Sequence, residues 1–186
     1  MIIRDAELRD ARGIAKVHVR SWQAAYAGII PDEELARLSV DQREQFWTQI
    51  LSKSQRATFV LVNRDVVVGW SAFGPARDED CDPALVAELY GIYLLPEYWS
   101  MGYGKQLYGA TETRIRQSLV ANLVLWVFEK NARARSFYEA VGYRLESERQ
   151  KQRRFAGATA MELRYRKLLD ETANIRDMTV ILPPKA

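Results

Sequence analysis

The stretch AELYGIYLLPEYWSMGYGKQLY, residues 87–108, decides how this chain is read. An apolar, strand-like run ends at Pro96, and a helix-like run starts just after Gly104. Between them, Gly102 and Gly104 stand one residue apart. A turn that feeds a helix leaves successive backbone N–H groups unpaired, and the helix dipole adds positive potential there. Glycine lets an anion approach with no Cβ in the way. A tight turn that binds nothing is the alternative, because glycine turns are common punctuation.

Two known phosphate motifs fail on this turn. A nucleotide P-loop would need glycine at Trp99 and serine or threonine at Gln106. The dinucleotide pattern would need a third glycine where Leu107 stands.

Outward from the turn, MIIRD reads as a first strand. Ile14, Val17, Trp22 and Ala25 then recur at helical spacing from about Asp10. Pro31, followed by Asp32, Glu33 and Glu34, suits a helix start, and Ser39 with Gln42 has capping-box spacing. ATFVLVNRDVVVGWSAFG, residues 57–74, is a hairpin about the turn Asn63, Arg64 and Asp65. NLVLWVFE is a buried strand. NARARSFYEAVGY is a helix capped by Asn131 and stopped by Gly142. Two last strands flank the basic run Arg149, Lys151, Arg153 and Arg154, which reads as a solvated loop. The order of elements gives a mixed α/β domain.

With 186 residues, of which 48% are apolar, one domain with a real core is expected. No window is apolar enough to span a membrane, and the opening lacks the basic-then-apolar pattern of a secretory signal, so a cytoplasmic protein is expected. Cys81 is the only cysteine, which excludes an internal disulfide and a cysteine-based zinc site. The net charge of +3 suits an anionic ligand but is too small to indicate nucleic acid. Asp78, Asp80 and Asp82 imitate the opening of a calcium loop, yet Pro83 and Leu89 stand where glycine and glutamate are needed, so no metal is expected. The acidic loop reads as solvated, or as an electrostatic lure for a cationic amine.

Taken with VFEKNARARSFYEAVGYRL, the glycine-turn stretch resembles the GNAT superfamily of N-acetyltransferases. That family has a pyrophosphate turn R/Q-x-x-G-x-G/A after a strand ending V-x-P-x-x, and a later block N-x-x-A-x-x-F-Y-x-x-x-G-F. Pro96, Gly102 and Gly104 match the first; Asn131, Ala134, Phe137, Tyr138 and Gly142 match the second, with Tyr143 in the final aromatic slot. Trp99 departs from the family's Arg or Gln. The order of elements fits over residues 1–167. Residues 168–186 lie outside the resemblance, and their strand-like MTVILPP suggests sheet-edge exchange in a homodimer.

The resemblance implies a GNAT-like, mostly antiparallel sheet flanked by helices, and acetyl-CoA as co-substrate. Its pyrophosphate would rest on the amides of Trp99, Ser100, Met101, Gly102, Tyr103, Gly104 and Lys105. Its pantetheine arm would pair with Ile92, Tyr93 and Leu94, and Asn131 would contact that arm. The acceptor would be a small-molecule or peptide amine, with no nucleic acid or membrane partner. Tyr138 would protonate the departing sulfur; a core tyrosine is the alternative. Glu88, interrupting an apolar strand, is the candidate base; pairing with a nearby arginine is the alternative. Trp22 and Tyr26 would wall the acceptor pocket or simply fill the core. His18, the only histidine, reads as a satisfied, half-buried side chain. A non-catalytic acyl-CoA sensor on the same scaffold, and an RNA-associated protein using the basic run, are the competing functions.

Overall fold

The computed structural model describes residues 1–53, 56–155 and 157–169. Among these, one seven-stranded sheet carries the chain: β1 (Ile2–Asp5), β2 (Ala57–Asn63), β3 (Val66–Pro75), β4 (Val86–Leu94), β5 (Asn122–Phe128), β6 (Arg144–Phe155) and β7 (Ala158–Leu168). Their order is β1-β2-β3-β4-β5-β7-β6. Every pair is antiparallel except β4 with β5. The fold is therefore mixed α/β with a mostly antiparallel sheet. The helices are α1 (Ala11–Ala25), α2 (Asp32–Ala36), α3 (Val40–Ser52), α4 (Tyr103–Arg116) and α5 (Ala132–Ala140).

Local chemistry sets most of these elements. Arg64 and Asp65 both have positive φ, at 46° and 66°, which gives the β2–β3 hairpin a turn whose twist matches its strands. Ser39 accepts a hydrogen bond from the Gln42 amide and starts α3. Asn131 does the same for α5 through the Ala134 amide, and Gly142, at φ 96°, ends that helix.

Alternation along β3 sorts the helices between the two faces of the sheet. The Trp70 ring packs against His18 of α1 and Trp47 of α3. Its neighbour Ser71 points the other way and bonds Thr111 of α4 at 2.6 Å. Hence α1 and α3 cover one face and α4 the other. Trp47, Ile14, Leu61, Leu107 and Leu125 are among the side chains sealed between the layers.

Two strand pairings position the site. On β4, Leu89 faces Phe73 and Gly91 faces Ala72, so Tyr90 is an extra residue that bulges the strand. β4 and β5 pair only at Val86–Asn122, Ala87–Leu123 and Glu88–Val124. Past the bulge they separate, and a cleft opens between them.

Two expectations are corrected. The basic run is not a loop: Arg149, Lys151, Arg153 and Arg154 lie within β6, which is an edge strand. Alternation puts the first three on one face and Arg154 on the other. The acidic loop is solvated only in part: Glu79 and Asp82 are exposed, while Asp78 and Asp80 are tied to the sheet. Arg164 of β7, only 2% exposed, donates to both Asp80 oxygens at 2.7 and 2.8 Å, to Asp78 at 3.1 Å and to Glu146 at 2.6 Å. Trp126 donates to Asp78 at 2.9 Å. The Arg164 hydrogen bonds, with the positive charge of Arg164 and Arg149, hold the Asp80 carboxyl down at about 2. Asp78, Asp80 and Cys81 have donor atoms within 4.8 Å of one another, but the Arg164 guanidinium already supplies positive charge there. The MTVILPP segment lies outside the described residues, and β7 runs on to Leu168.

Removing Arg164 would take the shared cation from three carboxylates, leaving Asp80 with Arg149, Glu146 with Arg166 and Asp78 with Trp126. Arg164→Ala is expected to lower unfolding free energy by about 3 kcal/mol, the usual cost of breaking a buried ionic cluster from one side. Urea unfolding at pH 7 measures this, and a loss below about 1 kcal/mol would count against the cluster's anchoring role.

Candidate functional site

The cleft between the parted strands has a volume of about 620 Å³. On one side, the β4 edge from Leu89 to Leu94 faces it; on the other are Trp126, Val127 and Phe128 of β5. Past Glu88, β4 pairs with β3 but not with β5, so its second edge is free for an extended ligand.

The glycine turn closes one end. Ser100 and Gly102 both have positive φ, 62° and 82°, and Gly102 caps α4. The α4 ladder begins with the Gln106 amide donating to the Gly102 carbonyl at 3.2 Å. The amides of Tyr103, Gly104 and Lys105 thus lack an intrahelical acceptor. A Cβ on Gly104 would meet Leu94 and Phe137 at 3.4 Å, an ordinary contact, so α4 packs closely on α5 and the end of β4 here. At the departure from the family pattern, the Trp99 indole donates to the Leu94 carbonyl at 2.8 Å, tying the turn to β4. The Arg133 guanidinium lies 4.4 Å above that indole and lines the cleft. A cation therefore does stand beside position 99, supplied by α5 rather than by the turn.

The cleft wall is phenolic. Tyr26 and Tyr93 share a 2.8 Å hydrogen bond. Burial raises the Tyr93 phenol and pushes the Tyr26 phenol well above its ordinary value. Tyr138 lines the same cleft at 8% exposure; burial, then the neighbouring Tyr93 and Tyr143, push its phenol up, so it stays protonated across the neutral range.

Of the residues the sequence singled out, Ile92, Tyr93, Leu94, Trp99, Ser100, Gly102, Gly104 and Lys105 line the cleft. So do Asn131, Tyr138, Trp22 and Tyr26. The side chains of Met101, which is exposed, and Tyr103, which packs near Tyr98, do not. Glu88 does not line it either. Its carboxylate, 2% exposed, receives Arg77 at 2.9 Å on one oxygen and 2.5 Å on the other. The geometry favours the arginine-paired alternative for Glu88.

The carboxylate that does reach the cleft is Glu162 of β7, paired in register with Phe128. It is 7% exposed and receives Arg153 at 3.2 Å, with Lys151 at 3.9 Å. Arg77, Arg133, Lys151 and Arg153 also line the cleft. No local sequence signal marks these residues, because strand pairing and helix packing bring them in.

His18 differs from its expected half-buried, satisfied state. It is 6% exposed, and Nδ1 accepts from the Trp47 indole at 3.2 Å. The neutral ring then carries its proton on Nε2, for which no described group is a partner. Its ring lies parallel to that of Tyr93 at 6.0 Å, outside the cleft lining.

Together, the parted parallel strands, the amide-lined turn at a helix start and the phenol beside them form one cleft on the α/β fold, with a free strand edge leading to unpaired amides. Residues 18–143 match the acetyltransferase (GNAT) family, and the chain belongs to that family. It is 36% identical over 139 residues to an uncharacterized N-acetyltransferase, YuaI, of Bacillus subtilis (strain 168), covering 74% of this chain and 77% of that protein. The fold matches the PaiA N-acetyltransferase of Thermoplasma acidophilum, solved with coenzyme A, at TM-score 0.69, with 21% identity over 90% of this chain and 98% of that one. An N-acetyltransferase of Staphylococcus aureus Mu50 superimposes at TM-score 0.72, with 14% identity over 91% and 98% of the two chains. GNAT acetyltransferases act on small-molecule or peptide acceptors. Among the described residues no helix is long and apolar enough to cross a membrane.

Burial holds the His18 pKa at about 3, with a smaller contribution from Arg43. Between pH 6.5 and 3 the unfolded chain binds a proton that the folded chain refuses. Stability therefore falls as pH drops through this window, by up to about 1.4 kcal/mol per pH unit. His18→Gln should flatten the melting-temperature profile between pH 7 and 5 relative to the parent protein. An unchanged slope would show that His18 is not its source.

Proposed function

We propose that the chain is an acetyl-CoA-dependent N-acetyltransferase that moves the acetyl group to a primary amine by direct attack in a ternary complex. The observation that carries this reading is the free β4 edge at Ile92, Tyr93 and Leu94, which runs into a turn with unpaired amides inside one cleft. That edge suits the amide-bearing pantetheine arm, and the turn suits the pyrophosphate. Arg133 and Lys105 would add positive charge where the turn's own side chain is Trp99. Asn131, already capping α5 through its side-chain oxygen, would face the arm with its amide nitrogen.

The acetyl carbon gains a bond to the amine nitrogen and loses its bond to sulfur. Tyr138, kept protonated by burial, delivers a proton to the departing sulfur. The attacking amine must lose a proton, and Glu162 is the carboxylate in the cleft able to take it, directly or through water. Glu88, bound by Arg77, would act by holding Arg77 in place beside Tyr90. No covalent enzyme intermediate is required, since the cleft can hold both reactants together.

Calorimetry is expected to detect acetyl-CoA binding to the purified protein; no heat at millimolar ligand would end this reading. Tyr138→Phe should lower kcat by about 100-fold, within the usual range for losing a general acid, with little change in acetyl-CoA KM. An unchanged kcat would remove Tyr138 from the acid role. Glu162→Gln should abolish the acidic limb of the pH–rate profile while Glu88→Gln keeps it. The reverse pattern would restore Glu88 as the base.

A further inference from the structure

The acceptor end of the cleft carries an imbalance of charge. Trp22 stands there, on α1, with two guanidinium groups beside one indole: Arg43 of α3 at 5.6 Å and Arg153 of β6 at 5.7 Å from the ring centre. Among the described residues no carboxylate lies within 4 Å of Arg43. Burial, and then the like charge of Arg153, lower the Arg43 pKa. Lys151 lies 3.8 Å above the Trp126 ring on the same face of β6 as Arg153. One carboxylate, Glu162, serves both Lys151 and Arg153.

The other charges nearby are already matched. Arg77 is held by Glu88. Asp78 and Asp80 are bound by Arg164, so these two carboxylates of the acidic loop are not free for a polycation. Holding Lys151 and Arg153 beside one carboxylate, with Arg43 adding like charge behind Trp22, costs electrostatic energy. An anionic group on the ligand would relieve it.

Building on the acetyltransferase reading, we infer that the acceptor is an amine that also bears an anionic group, of the amino-acid class. Glu162 meets its ammonium, and Lys151 and Arg153, which line the cleft, meet its carboxylate or an equivalent phosphonate. The Trp22, Tyr26 and Phe128 rings, stacked edge to face at 5.0 Å along that wall, give its side chain an apolar surface. Polyamines, which carry only positive charge, are excluded by the same arrangement.

The test uses the full chain with acetyl-CoA and follows thiol release from matched acceptors: free α-amino acids, their carboxamides, aminophosphonates and polyamines. The acids are expected to exceed their carboxamides in kcat/KM by about tenfold or more, the scale of one lost charge-assisted contact. Aminophosphonates that match or surpass the carboxylates would identify the preferred anion within the same class. Arg153→Met and Lys151→Met should each reduce the acid-to-carboxamide ratio while the acetyl-CoA Kd holds. Arg153→Lys should recover part of it. Release from polyamines or carboxamides at rates equal to the acids would overturn the inference and leave the transferase reading intact. Release from no acceptor, despite acetyl-CoA binding, would sink both.

Discussion

The separation of β4 from β5 is the constraint on which the rest of the molecule depends. Parallel strands that stay paired would close the sheet and bury both edges. Here pairing stops after Glu88 and Val124, and Tyr90 inserts as a bulge at the point of departure. The backbone groups that β4 would have shared with β5 become available to a ligand. The Leu94 carbonyl, at the end of that edge, is already engaged by Trp99, which ties the glycine turn to the same strand. One irregularity thus sets the width of the cleft, its free edge and the aim of its turn.

Burial then tunes the groups inside. The phenols of Tyr26, Tyr93 and Tyr138 are raised because their ionised forms would sit in a poorly hydrated wall. That favours hydrogen-bond donation over nucleophilic chemistry. The same desolvation depresses His18 and leaves it neutral behind Tyr93. The only histidine therefore serves the packing of α1 against α3 and β3, where it is surrounded by Trp22, Trp47 and Trp70.

Charge is partitioned across the sheet. One cluster, around Arg164, is buried and complete, and it fastens the loop before β4 onto β5 and β7. The other, around Glu162, opens into the cleft and has more cations than its carboxylate can match. Both use alternate residues on the same face of β6 and β7.

The sequence by itself determined the elements whose causes are local. The capping residues Ser39 and Asn131, the Arg64–Asp65 hairpin turn, the stop at Gly142 and the glycine turn ahead of α4 are set by backbone preferences acting within a few residues. The two motif blocks could therefore be placed on the fold, with Tyr138 and the β4 edge among the candidates. Only the tertiary structure decided which charges meet. Glu88 and Arg77 lie on either side of a loop, Arg164 reaches Asp80 across most of the domain, and Arg133 reaches Trp99 from a different helix. An arginine far along the chain carries no local mark of the partner it will find. Strand register and helix packing fix that partner, so the basic run read as a loop became a strand, and the acidic run read as a solvated loop, or else a lure, supplies an anchor through Asp78 and Asp80.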